Sequence, residues 1–297
     1  MLPSQTQRIL MLLAVVATLP GWWWATKQLQ PADGLAGWAV SNLFTRESPA
    51  PVAIAALAAA LAGAALAGAL VAAAGNPLAG VCCGLVSAAV CAWGVGFLGV
   101  AQRAGLPVGS AGVYVRLALE IGACFLVLTT GLAWLQWAGP RLRPRLPARL
   151  RSQHVGTALE LWKVDGKSVA AGLVTAAVGA VLSVGLLRST NPGQVVGGLF
   201  VAFTIASIVG HAVSPGHKPW AVLMAPGLVG LAGYGWSWWN LRHREPTALL
   251  ADLYAGALPG AGLGIALPIH YATAGVIGCT LGLGIGLVVD KAKVGEL

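Results

Sequence analysis

Charge is what this chain has least of. Asp, Glu, Lys and Arg make up only 9% of its 297 residues, where an average soluble domain carries nearer a quarter. With so few polar side chains a water-facing surface cannot be covered, which excludes an ordinary soluble fold and points to lipid as the outer solvent. Cysteine pairing is also missing. Cys82, Cys83, Cys91, Cys124 and Cys279 all fall in apolar segments, none forms a C-x-x-C pair, and none has a histidine at metal-ligand spacing. Vicinal Cys82 and Cys83 diverge on a helix, so they make a poor disulfide. These five are read as small, buried, reduced side chains, and no metal is expected. Catalytic signatures are absent too: no nucleophile elbow, phosphate loop, H-E-x-x-H or paired intramembrane aspartates. The Gly-x-Gly strings at 260–264 and 282–286 stand in apolar context with no strand before them. No enzyme activity and no cofactor are expected.

Apolar residues fill the space. They form 57% of the chain, alongside 41 glycines and 12 tryptophans. Crossing a hydrocarbon core of about 30 Å takes about 20 helical residues. Runs of that kind lie at 9–26, 52–74, 78–101, 113–138, 168–187, 194–213, 220–239 and 271–289. The first ends in Trp22-Trp23-Trp24 rather than a small-x-small cleavage pattern, so it reads as an uncleaved anchor with its indoles in an interfacial belt. The stretch 247–270 is apolar but broken by Pro259, Pro268, Asp252 and several glycines. It reads as a re-entrant or broken helix, with a ninth full span as the alternative. The expected fold class is an all-α integral membrane protein, a polytopic bundle of about eight transmembrane helices. It divides into an N-terminal membrane half at 1–138, a basic linker at 139–167 and a C-terminal membrane half at 168–297.

That linker holds Arg141, Arg143, Arg145, Arg149, Arg151, Lys163 and Lys167, seven of the eighteen basic residues. From Pro147 onward its pattern suits an amphipathic helix lying on the membrane, with Trp162 toward the headgroups. Basic residues mark cytoplasmic loops. With the linker inside, alternation over eight spans puts Arg8, Lys218, Lys291 and Lys293 inside with it, and Lys27, Arg46, Arg103, Arg188, Arg242 and Arg244 outside. The expectation is a multi-pass protein of the bacterial cytoplasmic membrane with a cytoplasmic N-terminus. Arg141, Arg143, Arg145, Arg149 and Arg151 would form a surface patch facing anionic headgroups. The net charge of +9 is explained this way, and no nucleic-acid partner is expected because no reader motif accompanies it.

Two further patterns bear on function. Asn76-Pro77 and Asn191-Pro192 each follow the first span of a three-span unit. Under the orientation above the two units are inverted, a plan frequent in transporters, whose sites lie at the repeat interface. Gly278, Gly282 and Gly286 form a four-residue stripe that lets another helix approach closely, and it is a candidate contact for a membrane partner or a second copy. The candidate intramembrane polar site is Arg116, Glu120, Asp252 and His270. Glu120 stands four residues after Arg116, so the two share a helix face, and an ionisable group inside a span is costly unless used. His211 and His270 read as helix-end caps, and His154, His217 and His243 as solvated. The scarcity of such groups makes a non-enzymatic structural, assembly or accessory subunit the leading expectation. The alternative is a transporter or channel for a small solute, with its site near Glu120 and the broken 247–270 segment.

Overall fold

The computed structural model describes residues 5–28, 50–74, 77–92, 97–147 and 164–294, and all regular structure among them is helical. In order these are α1 (Gln5–Gln28), α2 (Ala50–Ala73), α3 (Pro77–Ala92), α4 (Phe97–Leu142), α5 (Gly166–Leu186), α6 (Pro192–Val213), α7 (Pro219–Leu241), α8 (Ala248–Tyr254), α9 (Pro268–His270) and α10 (Val276–Val294). A 3-10 segment, Pro259–Ile265, precedes α9, and a π-helical turn, Tyr271–Gly275, joins α9 to α10. Local chemistry sets several starts. Asp165 caps α5 by accepting the Ser168 N–H at 2.7 Å. Asn191 caps α6 by accepting from Gly193 N–H at 2.9 Å, with Pro192 in the first turn. Proline suits that position because its missing N–H would have no helical partner there.

Small residues decide how these helices pack. A methyl added at Gly172 on α5 would lie 2.8 Å from the Ala221 carbonyl of α7, and one at Gly68 on α2 would lie 2.8 Å from the Gly80 carbonyl of α3. Backbones approach this closely only where side chains are absent. The contacts also give the helix senses. Gly68 faces Gly80 and Ala64 faces Gly84, so α2 and α3 are antiparallel. Gly68 meets Leu135 and Ala72 meets Gly139, so α2 and α4 are parallel. The second set repeats this. Thr175 faces Gly210 and Gly179 faces Phe203, making α5 and α6 antiparallel, while Ser168 with Lys218 and Gly172 with Ala221 make α5 and α7 parallel.

The two units meet along α4 and α7. There Tyr114 faces Tyr234, Ile121 faces Gly230, Phe125 faces Gly227 and Thr129 faces Met224. One series rises as the other falls, so α4 and α7 are antiparallel and the units point in opposite directions. A flanking helix serves each unit. α1 runs parallel to α3, with Cys83 beside the Met11 carbonyl and Ser87 hydrogen-bonded to Thr18 at 2.6 Å. α10 runs parallel to α6, with Gly278 on Phe200, Gly282 on Thr204 and Gly286 on His211.

Among the described residues five helices are long and apolar enough to cross a membrane: Arg8–Ala25, Ala111–Arg145, Gly166–Leu186, Pro192–Val213 and Pro268–Asp290. The bent pair Ala248–Tyr254 and Pro259–Ile265, folded by 93°, would add a sixth if it crossed. Ala58–Ala73 and Leu78–Cys91 are apolar but shorter. α7 has 23 residues and no charge, yet its Trp, Gly and Pro dilute its hydropathy. By length and composition, then, the chain is a polytopic helical membrane protein, with five to six such helices among the described residues. Tryptophan supports this scale. Exposed Trp236, Trp238 and Trp239 lie just past Tyr234, and exposed Trp134 and Trp137 lie toward the end of α4. Tyr114 is level with Tyr234, and 20 residues separate it from Trp134, or about 30 Å at 1.5 Å per residue. The two indole belts therefore stand one hydrocarbon thickness apart. Arg141 stacks 4.1 Å over Trp137 and Arg242 stacks 3.4 Å over Trp239, each marking a belt.

Several expectations change at this level. The third apolar run was expected to continue to residue 101; α3 covers Pro77–Ala92 and α4 starts at Phe97, and residues 93–96 lie outside the described residues. α4 is a 46-residue helix, kinked where Gly109 takes φ 75°. Of the three N-terminal indoles, Trp23 and Trp24 are exposed but Trp22 is buried against Ala25 and Ala60. The Gly278, Gly282 and Gly286 stripe is filled by α6 of the same chain, so the helix it admits is internal and not a partner's. The broken stretch does not run the length of the bundle. Because α10 is parallel to α6, it starts at the end where α7 stops, and residues 259–267 touch Leu187, Gly233, Tyr234, Ser237 and Tyr114 at that same end. The amphipathic helix expected after Pro147, with Arg149, Arg151, His154 and Trp162, lies outside the described residues, as does Asn76 of the first Asn-Pro pair.

Candidate functional site

The bent segment is the least regular backbone in the described chain. Gly260, Ala261 and Gly262 have φ of 57°, 53° and 92°. This left-handed region costs a side-chain-bearing residue about 1–2 kcal/mol, so Ala261 holds real strain. Segments of this kind are tolerated at membrane depth only where protein satisfies the freed polar groups. Two tyrosines do so. Tyr234 on α7 donates to the Ala266 carbonyl at 2.6 Å, and Tyr271 donates to the Leu263 carbonyl at 2.8 Å. Ser237 packs against Gly260 and Gly264, where a Cβ would collide with it or its helix. Tyr114 completes the group, 6.1 Å from the Tyr234 ring, which in turn meets Tyr271 edge-on at 6.2 Å. All three rings are at most 1% exposed.

Glu120 and His270 come to this group, and Asp252 does not. Glu120 sits on α4 about 9 Å below Tyr114, nearly two turns further along the helix, and is nine-tenths buried. Its neighbour Ile121 meets both Gly230 and the Tyr271 side of that glycine, so Glu120 shares a level with the start of the π turn. His270, 1% exposed, precedes that turn and packs in the region where α9 meets α3 and α4. Its Nδ1 accepts from the Leu267 N–H at 3.2 Å, which places the ring proton on Nε2. Arg116 is partly buried one turn before Glu120. Asp252 on α8 is bound instead by Arg244 in a two-point pair at 2.6 and 3.0 Å, at the surface. There it ties the short helix to the turn after α7, a positioning role. Of the basic patch, Arg141, Arg143 and Arg145 are described. They lie at the end of α4, at the bundle end opposite the bent segment.

Sequence reasoning missed the tyrosines, though a signal existed: the chain has four, and three of them converge here. It also misjudged His217, which is buried beside His211 rather than solvated. Among the described residues no group of three His, Cys, Asp or Glu is arranged for a metal ion. The chemistry available is hydrogen bonding and proton exchange in an apolar setting, offered by one carboxyl, one imidazole and three phenols. No protein-family model matches this chain, and no curated protein or solved structure matches it either.

The Tyr234 hydroxyl is expected to matter for stability. Tyr234→Phe leaves the buried Ala266 carbonyl without its donor, which should cost about 1–3 kcal/mol. A lowered unfolding midpoint in mild detergent checks this. An unchanged midpoint would mean another group reaches that carbonyl.

Proposed function

We propose that this protein is a transporter or channel for a small solute, with its site where the two inverted units meet. The observation that carries the reading is the pairing of like units in opposite directions along α4 and α7, with an irregular segment and a buried carboxyl at the seam. Inverted repeats with interrupted helices are a plan many transporters share, and their sites lie at the repeat interface. A buried carboxyl in a span is expensive to keep without a use. In this reading Glu120 contacts the solute or its coupling proton, while His270 and the tyrosines line the approach. The π turn fits, since such turns frequently mark functional sites.

The proposed topology has eight crossings, with the bent segment re-entering on one side. The end carrying Arg8, Arg141, Arg143, Arg145, Lys167 and Lys218 is cytoplasmic, in the bacterial cytoplasmic membrane, against anionic headgroups. A non-enzymatic accessory subunit is the second reading. It is favoured by the close, small-residue packing of α5, α6 and α10, which suits a scaffold as well as a carrier.

Purified protein in liposomes distinguishes the two. Stopped-flow light scattering with glycerol and urea, and a trapped pH dye for protons, should show flux above protein-free vesicles for at least one probe. Glu120→Gln should return that flux to the empty-vesicle rate. Flux equal to empty vesicles for every probe, with a second membrane protein co-purifying, would favour the accessory role. Orientation is checked separately in cells. A single reactive cysteine placed at exposed Pro147 should resist a membrane-impermeant maleimide until the membrane is opened, and one at exposed Tyr254 should react at once. The reverse pattern would invert the topology.

A further inference from the structure

A second polar group closes the other end of the bundle. His211 ends α6, and its Nε2 lies 2.7 Å from Asp290 Oδ2 on α10. The ring rests against Gly286, where a methyl would lie 2.9 Å from the ring Cγ. His217, in the turn between α6 and α7, packs edge-on to His211 with centroids 5.3 Å apart. Its Nδ1 is 2.7 Å from the Ser214 carbonyl. A carbonyl only accepts, so Nδ1 carries a proton and Nε2 is the basic atom of the ring. That Nε2 is buried and meets no hydrogen-bond partner. The turn is fixed from the far side. The Lys218 N–H donates to Ser168 Oγ at 2.7 Å, and the Ser168 N–H donates to Asp165. Ends of α5, α6, α7 and α10 thus meet around the His211 and His217 pair.

The ionisable groups around it can be named. His211 faces it from α6, and Asp290 on α10 acts through His211. Asp165 acts on it from the head of α5, and Lys218 adjoins it at the head of α7. Lys167, in the first turn of α5, is exposed. With no three-ligand metal cluster among the described residues, the ligand this chemistry admits is a proton.

We propose that His217, together with the His211–Asp290 pair, is a proton-binding site that sets how firmly the end of α10 is held to α6. With His217 neutral, the His211 ring sits on Gly286 and keeps Asp290 in place. A proton on Nε2 creates a buried imidazolium with no acceptor, beside a second imidazole. It draws Asp290 away from His211 or drives His217 toward water. Asp290 is already 44% exposed, so the end of α10 is the element freest to yield. Burial holds the His217 imidazole below its ordinary value. The unfolded chain therefore takes up this proton first. The stability due to neutral His217 is whole above the ordinary imidazole range near about pH 6.5 and is lost as pH falls below it. The inference stands whether or not the protein transports a solute.

The test uses the full chain in lipid nanodiscs, titrated from about pH 7.5 to about pH 5, a range that brackets imidazole protonation. Histidine side-chain NMR follows His217, and amide hydrogen exchange, corrected for intrinsic rate, follows residues 284–294. The expected result is protonation of His217 below the ordinary imidazole range, with protection of those amides falling in step. His217→Gln should keep its protection across the whole range. Protection that does not change with pH in the unaltered protein would overturn the proposal, as would the same loss in the variant. Should the variant fail to fold, coincidence or separation of the two wild-type curves decides the matter.

Discussion

A backbone that leaves helical geometry inside an apolar body must find hydrogen-bond partners there, because lipid offers none. Residues 259–267 impose that demand on the rest of this molecule. Tyr234 and Tyr271 meet it by donating to Ala266 and Leu263, and His270 meets it by accepting from Leu267 N–H. Those side chains can reach only because Gly230, Gly233 and Gly264 leave room for rings and backbone to pass. The glycine content of α7 and of the bent segment is thus a consequence of the irregular backbone, and the strain at Ala261 is carried by the same set of contacts.

The rest of the bundle is built to hold that segment at one end. Each three-helix unit packs its first helix between the other two, and the units meet in opposite senses along α4 and α7. Opposite senses put the C-terminal indoles of α4 and α7 in different belts, about 30 Å apart by the helix rise. They also gather Arg8, Arg141, Arg143, Arg145 and Lys218 at one end and Arg188, Arg242 and Arg244 at the other. Glu120 and His270 then fall at the seam, where neither unit alone could enclose them.

Much of this was legible in the residues. The long apolar runs announce helices, because only a helix satisfies its own backbone, and their ends fell within a few residues of those expected for α5, α6 and α7. The second Asn-Pro pair marked a real helix start, since Asn191 caps α6 and Pro192 sits in its first turn. The kink of α4 at Gly109 was not legible, since a lone glycine in an apolar run is as compatible with a straight helix as with a bend. The stripe at Gly278, Gly282 and Gly286 announced a close neighbour but could not say that the neighbour is α6. Asp252 drew attention as a charge in an apolar stretch, and only three-dimensional proximity shows Arg244 neutralising it. His217 lies in a Ser-Pro-Gly turn that reads as solvated, and only the fold shows it packed edge-on against His211.

The central claim is that the two units run in opposite directions along the α4–α7 seam. Cysteine pairs tested for crosslinking in membranes address it most directly. Pairs at Phe125 with Gly227 and at Thr129 with Met224 should both form, while Leu117 with Met224 should not. Crosslinking of Leu117 with Met224, with failure of the other two, would mean that the helices are not arranged in this antiparallel register and would contradict the account.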